Sequence, residues 1–236
     1  MVPAELVGVE SNELNIADTL PSIKSANKVK RYTYLFIKKS FDVVCSLMAV
    51  IFLIPLTIFI KIAYLLSGDT NPILYTQKRI GKNGEEFDFY KFRSMIPNAD
   101  EELKKILAEN PKMAEEYAVN KKLENDPRVT KIGAFLRKTS LDEFPQFLNV
   151  LKGDMAIIGN RPYLPREKED MGDYFEDIEK TKCGIVSYWA VMGRSDVSFE
   201  KRLELEKYYS DNQTLLLDLS IFVKVFKIVL LRKGAK

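Results

Sequence analysis

The longest uncharged stretch of the chain runs from Val43 to Ile60, between Asp42 and Lys61. About 18 apolar residues form a candidate transmembrane helix, and because the run is apolar on every face, a buried core helix is the weaker alternative. The arm before Pro55 would form only about 18 Å of helix, against a hydrocarbon core of roughly 30 Å. The pattern leaves two arrangements open: a helix that spans the bilayer, and one that bends at Pro55 and returns to the side it entered.

An acidic pair precedes a helical repeat of apolar residues in the centre of the chain. The apolar residues that recur at helical spacing are Phe144, Phe147, Leu148 and Leu151. Ser140 and Glu143 fit a capping box, and Pro145 favours a helix start. We therefore predict that Asp142 and Glu143 lie in the first turn of a helix that ends at Gly153.

These two carboxylates have two interpretations. The ordinary one is a helix cap, since Ser-x-x-Glu before an apolar run is a common start signal. The functional one begins with the helix dipole, which favours the ionised form of an acid in the first turn. An ionised Asp142 beside a phosphate-binding helix terminus is able to attack phosphorus. The pair alone favours the cap, and the surrounding motifs decide between the two.

The remaining pattern predicts an α+β fold. Residues 72–95 are typical of a β-hairpin with a glycine-bearing loop, and residues 98–124 of one or two surface helices broken near Pro111. Further on, we predict a helix over residues 166–180, a short strand over 184–191 and a helix over 199–209.

The last apolar stretch, Leu215 to Leu231, is interrupted by Asp218, Lys224 and Lys227. A membrane-spanning helix would rarely accept these charges. An amphipathic interfacial helix accepts them, with Lys224, Lys227 and Arg232 extending toward lipid headgroups. The alternative is a core-packing helix that ends in a basic tail.

Composition narrows the possible chemistry. The 236 residues carry a net charge of +3, which argues against a protein built mainly to coat nucleic acid. There is no histidine, so the chemistry must come from other side chains. The two cysteines, Cys45 and Cys183, suggest neither a disulfide framework nor a zinc site. Residues 1–27 read as a flexible tail, and the basic and aromatic residues after it favour anionic lipid headgroups as a partner.

Several spaced motifs together resemble the bacterial sugar transferase family, over about residues 28–232. In chain order they are Gln77-Lys78-Arg79-Ile80-Gly81, Lys91-Phe92-Arg93-Ser94-Met95, Asp126-Pro127-Arg128-Val129-Thr130, Gly133-Ala134-Phe135-Leu136-Arg137, Thr139 to Gly153, and Gly159-Asn160-Arg161-Pro162. Members of this family are monotopic phosphoglycosyl transferases. The residues Phe199 to Leu205, followed by Tyr208-Tyr209, resemble the branch that transfers hexose phosphates.

The resemblance implies a reaction in two steps. Asp142 attacks the sugar-bearing phosphorus of a UDP-sugar and releases UMP. Polyprenyl (undecaprenyl) phosphate then takes the sugar phosphate from the enzyme, as the first membrane step of polysaccharide synthesis. The resemblance also implies Mg²⁺ at Asp142 and Glu143, and phosphate contacts from four cations: Lys91, Arg137, Arg161 and Arg194. The family motif usually has proline where this chain has Asn160, which suggests a less rigid loop around Arg161.

For topology, the resemblance favours the proline-broken re-entrant helix, with both ends on the cytoplasmic face of the inner membrane. We accordingly expect an anchor over residues 28–66 and a catalytic domain over residues 67–236. Two other functions stay open. One is a membrane-anchored glycosyltransferase that releases UDP, and the other is a non-catalytic membrane adaptor whose carboxylates only cap a helix.

Overall fold

The computed structural model describes residues 28–120, 123–192 and 197–231. The predicted flexible tail, residues 1–27, lies outside the described residues, as do Arg194 and Arg232. The side chain of Lys227 is also outside the described part.

The first half of the described chain contains one long helix, a hairpin and four shorter helices. They are α1 (Lys28–Leu66), β1 (Leu74–Ile80), β2 (Glu86–Phe92), α2 (Ala99–Glu109), α3 (Pro111–Asn120), α4 (Lys131–Thr139) and α5 (Gln146–Lys152), with 3₁₀ turns at Lys82–Gly84 and Leu141–Glu143. The predicted hairpin and the helix break at Pro111 are confirmed.

The second half pairs two short strands and adds five helices. They are β3 (Met155–Ile158), α6 (Lys168–Met171), α7 (Tyr174–Glu179), β4 (Cys183–Val186), α8 (Tyr188–Met192), α9 (Phe199–Asp211) and α10 (Leu215–Leu231), with a 3₁₀ turn at Pro165–Glu167. Strand β1 pairs with β2, and β3 with β4. The α+β class is confirmed, whereas the strand predicted over 184–191 was wrong at its end, because Tyr188 and Val191 lie in α8.

Helix α1 runs without interruption through Pro55. By length and composition alone, α1 is long and apolar enough to cross a membrane, and no other helix among the described residues is. Thr57 Oγ1 donates to Leu53 O at 2.6 Å, and proline and such threonine back-bonds both bend helices. The predicted break at Pro55 therefore takes the form of at most a bend, since one missing amide leaves the rest of the helical hydrogen bonds in place.

Packing groups the chain into two compact units. The described residues within Met1–Asp42, Ile80–Glu85 and Ala156–Gly234 form unit one, and those within Val43–Arg79 and Glu86–Met155 form unit two.

Each unit has its own apolar core. In unit two the buried side chains of the core include Leu53, Ile60, Tyr64, Ile73, Phe92 and Leu136. In unit one they include Tyr163, Met171, Ile178 and Leu203. The second half of α1 therefore has a packed face, while other apolar side chains of the same helix, such as Ile51, Phe52 and Phe59, are exposed.

Helix α10 carries apolar residues on both its buried and its exposed face. Leu217 and Ile221 are buried in unit one, whereas Leu216 and Leu219 are exposed. Asp218 is also buried, and its carboxylate accepts hydrogen bonds from a lysine and two tyrosines: Lys38 Nζ at 2.6 Å, Tyr34 OH at 2.9 Å and Tyr209 OH at 2.7 Å. The charge that seemed to interrupt an apolar helix is therefore a paired group in the interior.

Candidate functional site

A reversal of the chain between α4 and α5 places the acidic pair. Ser140 adopts a left-handed conformation (φ 56°), and its N–H closes the end of α4 by donating to Leu136 O and Arg137 O. Its side chain makes no capping hydrogen bond to the turn that follows. The predicted capping box was therefore wrong, because Ser140 ends one helix instead of starting the next.

The carboxylates lie in the 3₁₀ turn Leu141–Glu143, before α5 begins at Gln146. The prediction that they occupy the first turn of an α-helix was thus wrong by several residues. The predicted end of that helix is confirmed, since Gly153 caps α5 in a left-handed conformation at φ 90°. Because α5 starts after the pair, stabilisation by the dipole of that helix no longer applies directly to Asp142.

Strand β2 brings Lys91 against both carboxylates. Lys91 Nζ lies 2.9 Å from Glu143 Oε1 and 3.9 Å from Asp142 Oδ2. The same ammonium group lies 5.5 Å from the ring centre of Phe89. We call Lys91, Asp142 and Glu143 the carboxylate–lysine cluster. Its three members were all predicted as site residues, and the structure brings them together within unit two.

Burial and charge act against each other at Asp142. Its side chain is 10% exposed, whereas that of Glu143 is 39% exposed. Burial raises the pKa of Asp142 and the neighbouring Glu143 adds to this rise, while the positive charges of Lys91 and Arg137 oppose it. The predicted stabilisation of ionised Asp142 is thus opposed by burial: the pKa of Asp142 lies above its ordinary value, and Lys91 is the main group that limits the rise.

A close approach of backbones positions Arg137. A Cβ atom on Gly133 would lie 1.9 Å from Ser94 O, so that only glycine lets α4 approach the chain after β2 this closely. One turn further along α4, Arg137 Nε donates to Ser94 Oγ at 2.9 Å. Ser94 was not predicted as a site residue, although it lies within the Lys91 to Met95 motif.

Two other motif arginines have structural roles. Arg93 is buried, and it donates to Asp69 Oδ2 at 2.9 Å and to Pro72 O at 2.7 Å. Arg128 is also buried, with Nη2 at 2.6 Å from Asp126 Oδ2. Both guanidinium groups are therefore used within the fold of unit two.

Arg161 belongs to unit one and has neighbours of its own. Its backbone N–H donates to Glu206 Oε2 at 2.7 Å, and its guanidinium carbon lies 6.0 Å from the Trp189 ring centre. Arg202 lies 4.4 Å from the same ring. Burial raises the pKa of Glu206 to about 8, against the opposing effect of Arg161.

Sequence reasoning missed these neighbours of Arg161. Glu206 and Arg202 are one turn apart on α9, a spacing that places two charges on one helix face. Trp189 is the single tryptophan of the chain. Both signals were present in the sequence, but neither indicates on its own which loop the residues contact.

Asn160 holds the loop that precedes Arg161. It is buried, and its Nδ2 donates to Ile178 O at 3.0 Å and to Ser210 Oγ at 2.7 Å. These two hydrogen bonds oppose the expectation that asparagine in place of proline loosens the loop. The fourth predicted cation, Arg194, lies outside the described residues.

The donor set at the cluster suits a weakly held hard cation. Among the described residues, no group of three or more metal-ligating side chains is found. Asp142 and Glu143 supply two adjacent carboxylates, and Mg²⁺ typically binds one or two carboxylates together with waters and substrate phosphates. The residues present therefore fit Mg²⁺ that arrives with a phosphorylated substrate.

Comparisons with known proteins point to one family. The family model described as "Bacterial sugar transferase" matches residues 33–232. The chain is 41% identical over 213 residues to the undecaprenyl-phosphate galactose phosphotransferase of Salmonella typhimurium, a match that covers 90% of this chain and 44% of that protein.

Two further relatives differ in length. The exopolysaccharide production protein ExoY of Sinorhizobium fredii is 39% identical over 198 residues, covering 84% of this chain and 87% of ExoY. The UDP-glucose:undecaprenyl-phosphate glucose-1-phosphate transferase of Escherichia coli is 36% identical over 201 residues, covering 81% of this chain and 40% of that enzyme. The chain thus spans less than half the length of the two relatives with named transferase activities, and most of ExoY.

Proposed function

This chain belongs to the bacterial sugar transferase family, and we propose that it is a phosphoglycosyl transferase. In this proposal it transfers a hexose 1-phosphate from a UDP-sugar to polyprenyl phosphate, with UMP as the released product. The observation that carries the proposal is the carboxylate–lysine cluster, in which buried Asp142 lies 3.9 Å from Lys91. Relatives named for undecaprenyl-phosphate galactose and glucose phosphotransfer support the substrate classes.

The first step uses Asp142 as the nucleophile. One carboxylate oxygen attacks the phosphorus that carries the sugar, a P–O bond to that oxygen forms, and the bond to the UMP oxygen breaks. The electron pair leaves with UMP, and the sugar phosphate stays on the enzyme as an acyl phosphate. Carboxylates form covalent intermediates of this kind with phosphorus.

In the second step, a phosphate oxygen of the lipid acceptor attacks the same phosphorus. The bond to Asp142 breaks, the carboxylate is regenerated, and polyprenyl diphosphate sugar leaves. Both steps bring an anion to an anionic phosphoryl group, so nearby positive charge is required. Lys91 already contacts both carboxylates, and Arg137 lowers the pKa of Asp142 by its charge. These two cations are therefore suited to stabilise the charge that develops in each step.

Mg²⁺ is part of the proposal, with Asp142 and Glu143 as its protein ligands. When bound, it would supply charge neutralisation between the carboxylates and the diphosphate oxygens. Arg161 and Arg194 are proposed as further phosphate contacts, since a guanidinium group can hold two phosphate oxygens at once.

We also propose that residues 28–66 anchor the protein in the cytoplasmic face of the inner membrane, and that residues 67–236 form the catalytic domain. Exposed apolar side chains along α1 support a lipid environment. Pro55 and the Thr57 back-bond support a bent, re-entrant path for the helix. A shallow anchor would hold the site where soluble UDP-sugar and the lipid headgroup can both be reached.

Identification of the released nucleotide tests the reaction. The protein is incubated with UDP-sugars and polyprenyl phosphate, and the products are separated by ion exchange. UMP is the expected product. Release of UDP would instead assign a glycosyltransferase that transfers the sugar alone, and absence of turnover with any donor would favour a membrane adaptor.

Cysteine labelling tests the topology. Single cysteines are placed at Ser11 and Asp170 in a background that lacks Cys45 and Cys183, and intact cells are treated with an impermeant thiol reagent. Neither site should be labelled in the otherwise native protein, whereas replacement of Pro55 by leucine should favour a spanning helix and expose the Ser11 site. Labelling of the Ser11 site alone in the native background would contradict the re-entrant path.

A further inference from the structure

An apolar groove lies in unit two between the second half of α1 and helix α4. Its volume is about 410 Å³. Phe59 and Ala63 of α1 line one wall, and Ile132 and Phe135 of α4 line the other. Lys131 also lines the groove. The other described residues of the lining are all apolar.

The groove is large enough for a ligand. Ligand pockets in proteins typically have volumes of about 300–1,000 Å³. An apolar cavity of roughly 150 Å³ holds one benzene molecule, with its six carbons. By this scale the 410 Å³ groove has room for roughly 16 carbons, or about three five-carbon isoprene units.

The groove and the carboxylate–lysine cluster are linked through one 3₁₀ turn. Leu141 contributes to the lining and directly precedes Asp142 in the 3₁₀ turn. Helix α4 contributes to both places, since Phe135 lines the groove and Arg137 acts electrostatically on Asp142. A molecule in the groove would therefore contact the residue that directly precedes the carboxylate that we propose as nucleophile.

The groove also borders surface that is suited to lipid. Phe59 is 64% exposed and Phe135 is 52% exposed. Contiguous exposed apolar patches mark ligand-binding, protein or membrane interaction sites more often than single exposed residues do. Because Phe59 lies in the helix proposed as the membrane anchor, this side of the groove would lie next to the hydrocarbon chains of the bilayer.

From these observations, we propose that the groove binds the first isoprene units of the polyprenyl phosphate acceptor. The proposal rests on the proposed function and adds the acceptor subsite to it. A prenyl chain is joined to its phosphate through a single oxygen, so an apolar groove can begin directly beside the phosphate-reactive carboxylate. In a phospholipid, a polar glycerol diester separates the phosphate from the acyl chains. The adjacency of Leu141 and Asp142 therefore favours the prenyl chain as occupant.

A substitution that fills the groove should raise the KM for the acceptor, and the increase should be larger for longer prenyl chains. In Ala63→Phe, a ring replaces a methyl group in the wall and occupies space that the chain would fill. The matched control is Ile62→Phe, because Ile62 is an exposed neighbour on the same helix and does not line the groove. The acceptors compared are prenyl phosphates of one, two and three isoprene units and the long polyprenyl phosphate, all in the same detergent. For each acceptor, the KM of the variant is divided by the KM of the native protein. This ratio removes the effect of acceptor partition into micelles, which is the same for both proteins.

For Ala63→Phe, the KM ratio should be near one with the one-unit acceptor and should reach roughly tenfold or more with three units. For Ile62→Phe it should stay near one at every length. Acceptor-free release of UMP in a single turnover reports the donor step separately. If native protein releases no UMP, the proposed function fails; if it releases UMP but the Ala63→Phe ratio does not depend on chain length, the groove proposal fails.

A direct binding measurement covers the case in which Ala63→Phe does not fold or turnover is absent. A farnesyl phosphate analogue with a photoreactive diazirine on its last isoprene unit is cross-linked to native protein, and the labelled peptides are mapped by mass spectrometry. Labels on α1 around Phe59 or on α4 around Phe135 are expected, and excess unlabelled farnesyl phosphate should suppress them. Labels elsewhere, or labels suppressed equally by a diacyl phospholipid, would overturn the assignment to a prenyl chain.

Discussion

Removing the charge of Lys91 should shift the pH at which Asp142 becomes an effective nucleophile. Lys91 is the main group that opposes the rise in the Asp142 pKa caused by burial. In Lys91→Met the side chain keeps its approximate length but loses its charge. The pKa of Asp142 should then rise further, because nothing of equal strength favours the ionised form.

The expected size of the shift follows from the distance. Two unit charges 3.9 Å apart interact by about 4 kcal/mol at an effective dielectric constant of about 20, and about 1.4 kcal/mol corresponds to one pKa unit. Lys91 is 28% exposed, and its ammonium group lies closer to Glu143 than to Asp142. Screening by solvent and the competing ion pair with Glu143 therefore reduce the interaction between Lys91 and Asp142. We expect the pKa of Asp142 to rise clearly above its native position, because a nearby cation favours the ionised form of a carboxylate.

Removing the second carboxylate should have the opposite effect. Glu143 raises the pKa of Asp142 by charge repulsion. In Glu143→Gln that repulsion disappears, and the ammonium of Lys91 no longer pairs with a second carboxylate at 2.9 Å. The pKa of Asp142 should therefore fall. Two neighbouring substitutions thus predict shifts of opposite sign, which a general loss of stability would not produce.

The assay is the pH dependence of kcat/KM for the UDP-sugar, followed by UMP release, because this quantity reports ionisations of the free enzyme. Activity that needs ionised Asp142 is lost as pH falls through its pKa. The acid limb should move to higher pH in Lys91→Met, to lower pH in Glu143→Gln, and stay near its native position in Lys91→Arg, which keeps the charge. An acid limb that is the same in all four proteins would refute this account of Asp142, whatever the change in rate.

Three further predictions concern single residues. Asp142→Asn should abolish UMP release, and near-native activity after exclusion of amide hydrolysis would show that Asp142 is not the nucleophile. Arg137→Ala and Arg161→Ala should each lower kcat/KM by about a hundredfold or more in protein that remains folded; full activity of either folded variant would remove that residue from the phosphate contacts. Gly133→Ala should destabilise the protein by at least about 2 kcal/mol in thermal or denaturant unfolding, because the new methyl group would collide with Ser94 O; native stability would contradict that packing.

Local sequence signals predicted several elements correctly. The uncharged run became one long helix, the residues around Gly81 and Gly84 connect a hairpin, and Pro111 separates two helices. Gly153 ends a helix in the left-handed conformation that glycine adopts most easily. Each of these outcomes depends on residues a few positions apart, so the local pattern is enough to determine it.

The acidic pair shows where local reasoning stops. Serine is a residue type that favours the start of a helix, yet the N–H of Ser140 closes the end of α4 and its backbone is left-handed. Helix α4 itself is placed by tertiary packing, since it approaches Ser94, a residue far from Ser140 in the chain, at Gly133. Backbone preferences of a fraction of a kcal/mol are readily overridden by such packing.

Sequence by itself determined which chemical groups are available: no histidine, the carboxylate pair of Asp142 and Glu143 before an apolar helical repeat, and motif cations that resemble one family. Only the tertiary structure decided their partners. Lys91 is 52 residues from Glu143 in the chain and 2.9 Å from it in space, while Arg93, two residues after Lys91, is used inside the fold. The burial that raises the pKa of Asp142 is likewise a property of the packed chain. Charge interactions and desolvation depend on distance in space, and a linear pattern does not contain that distance.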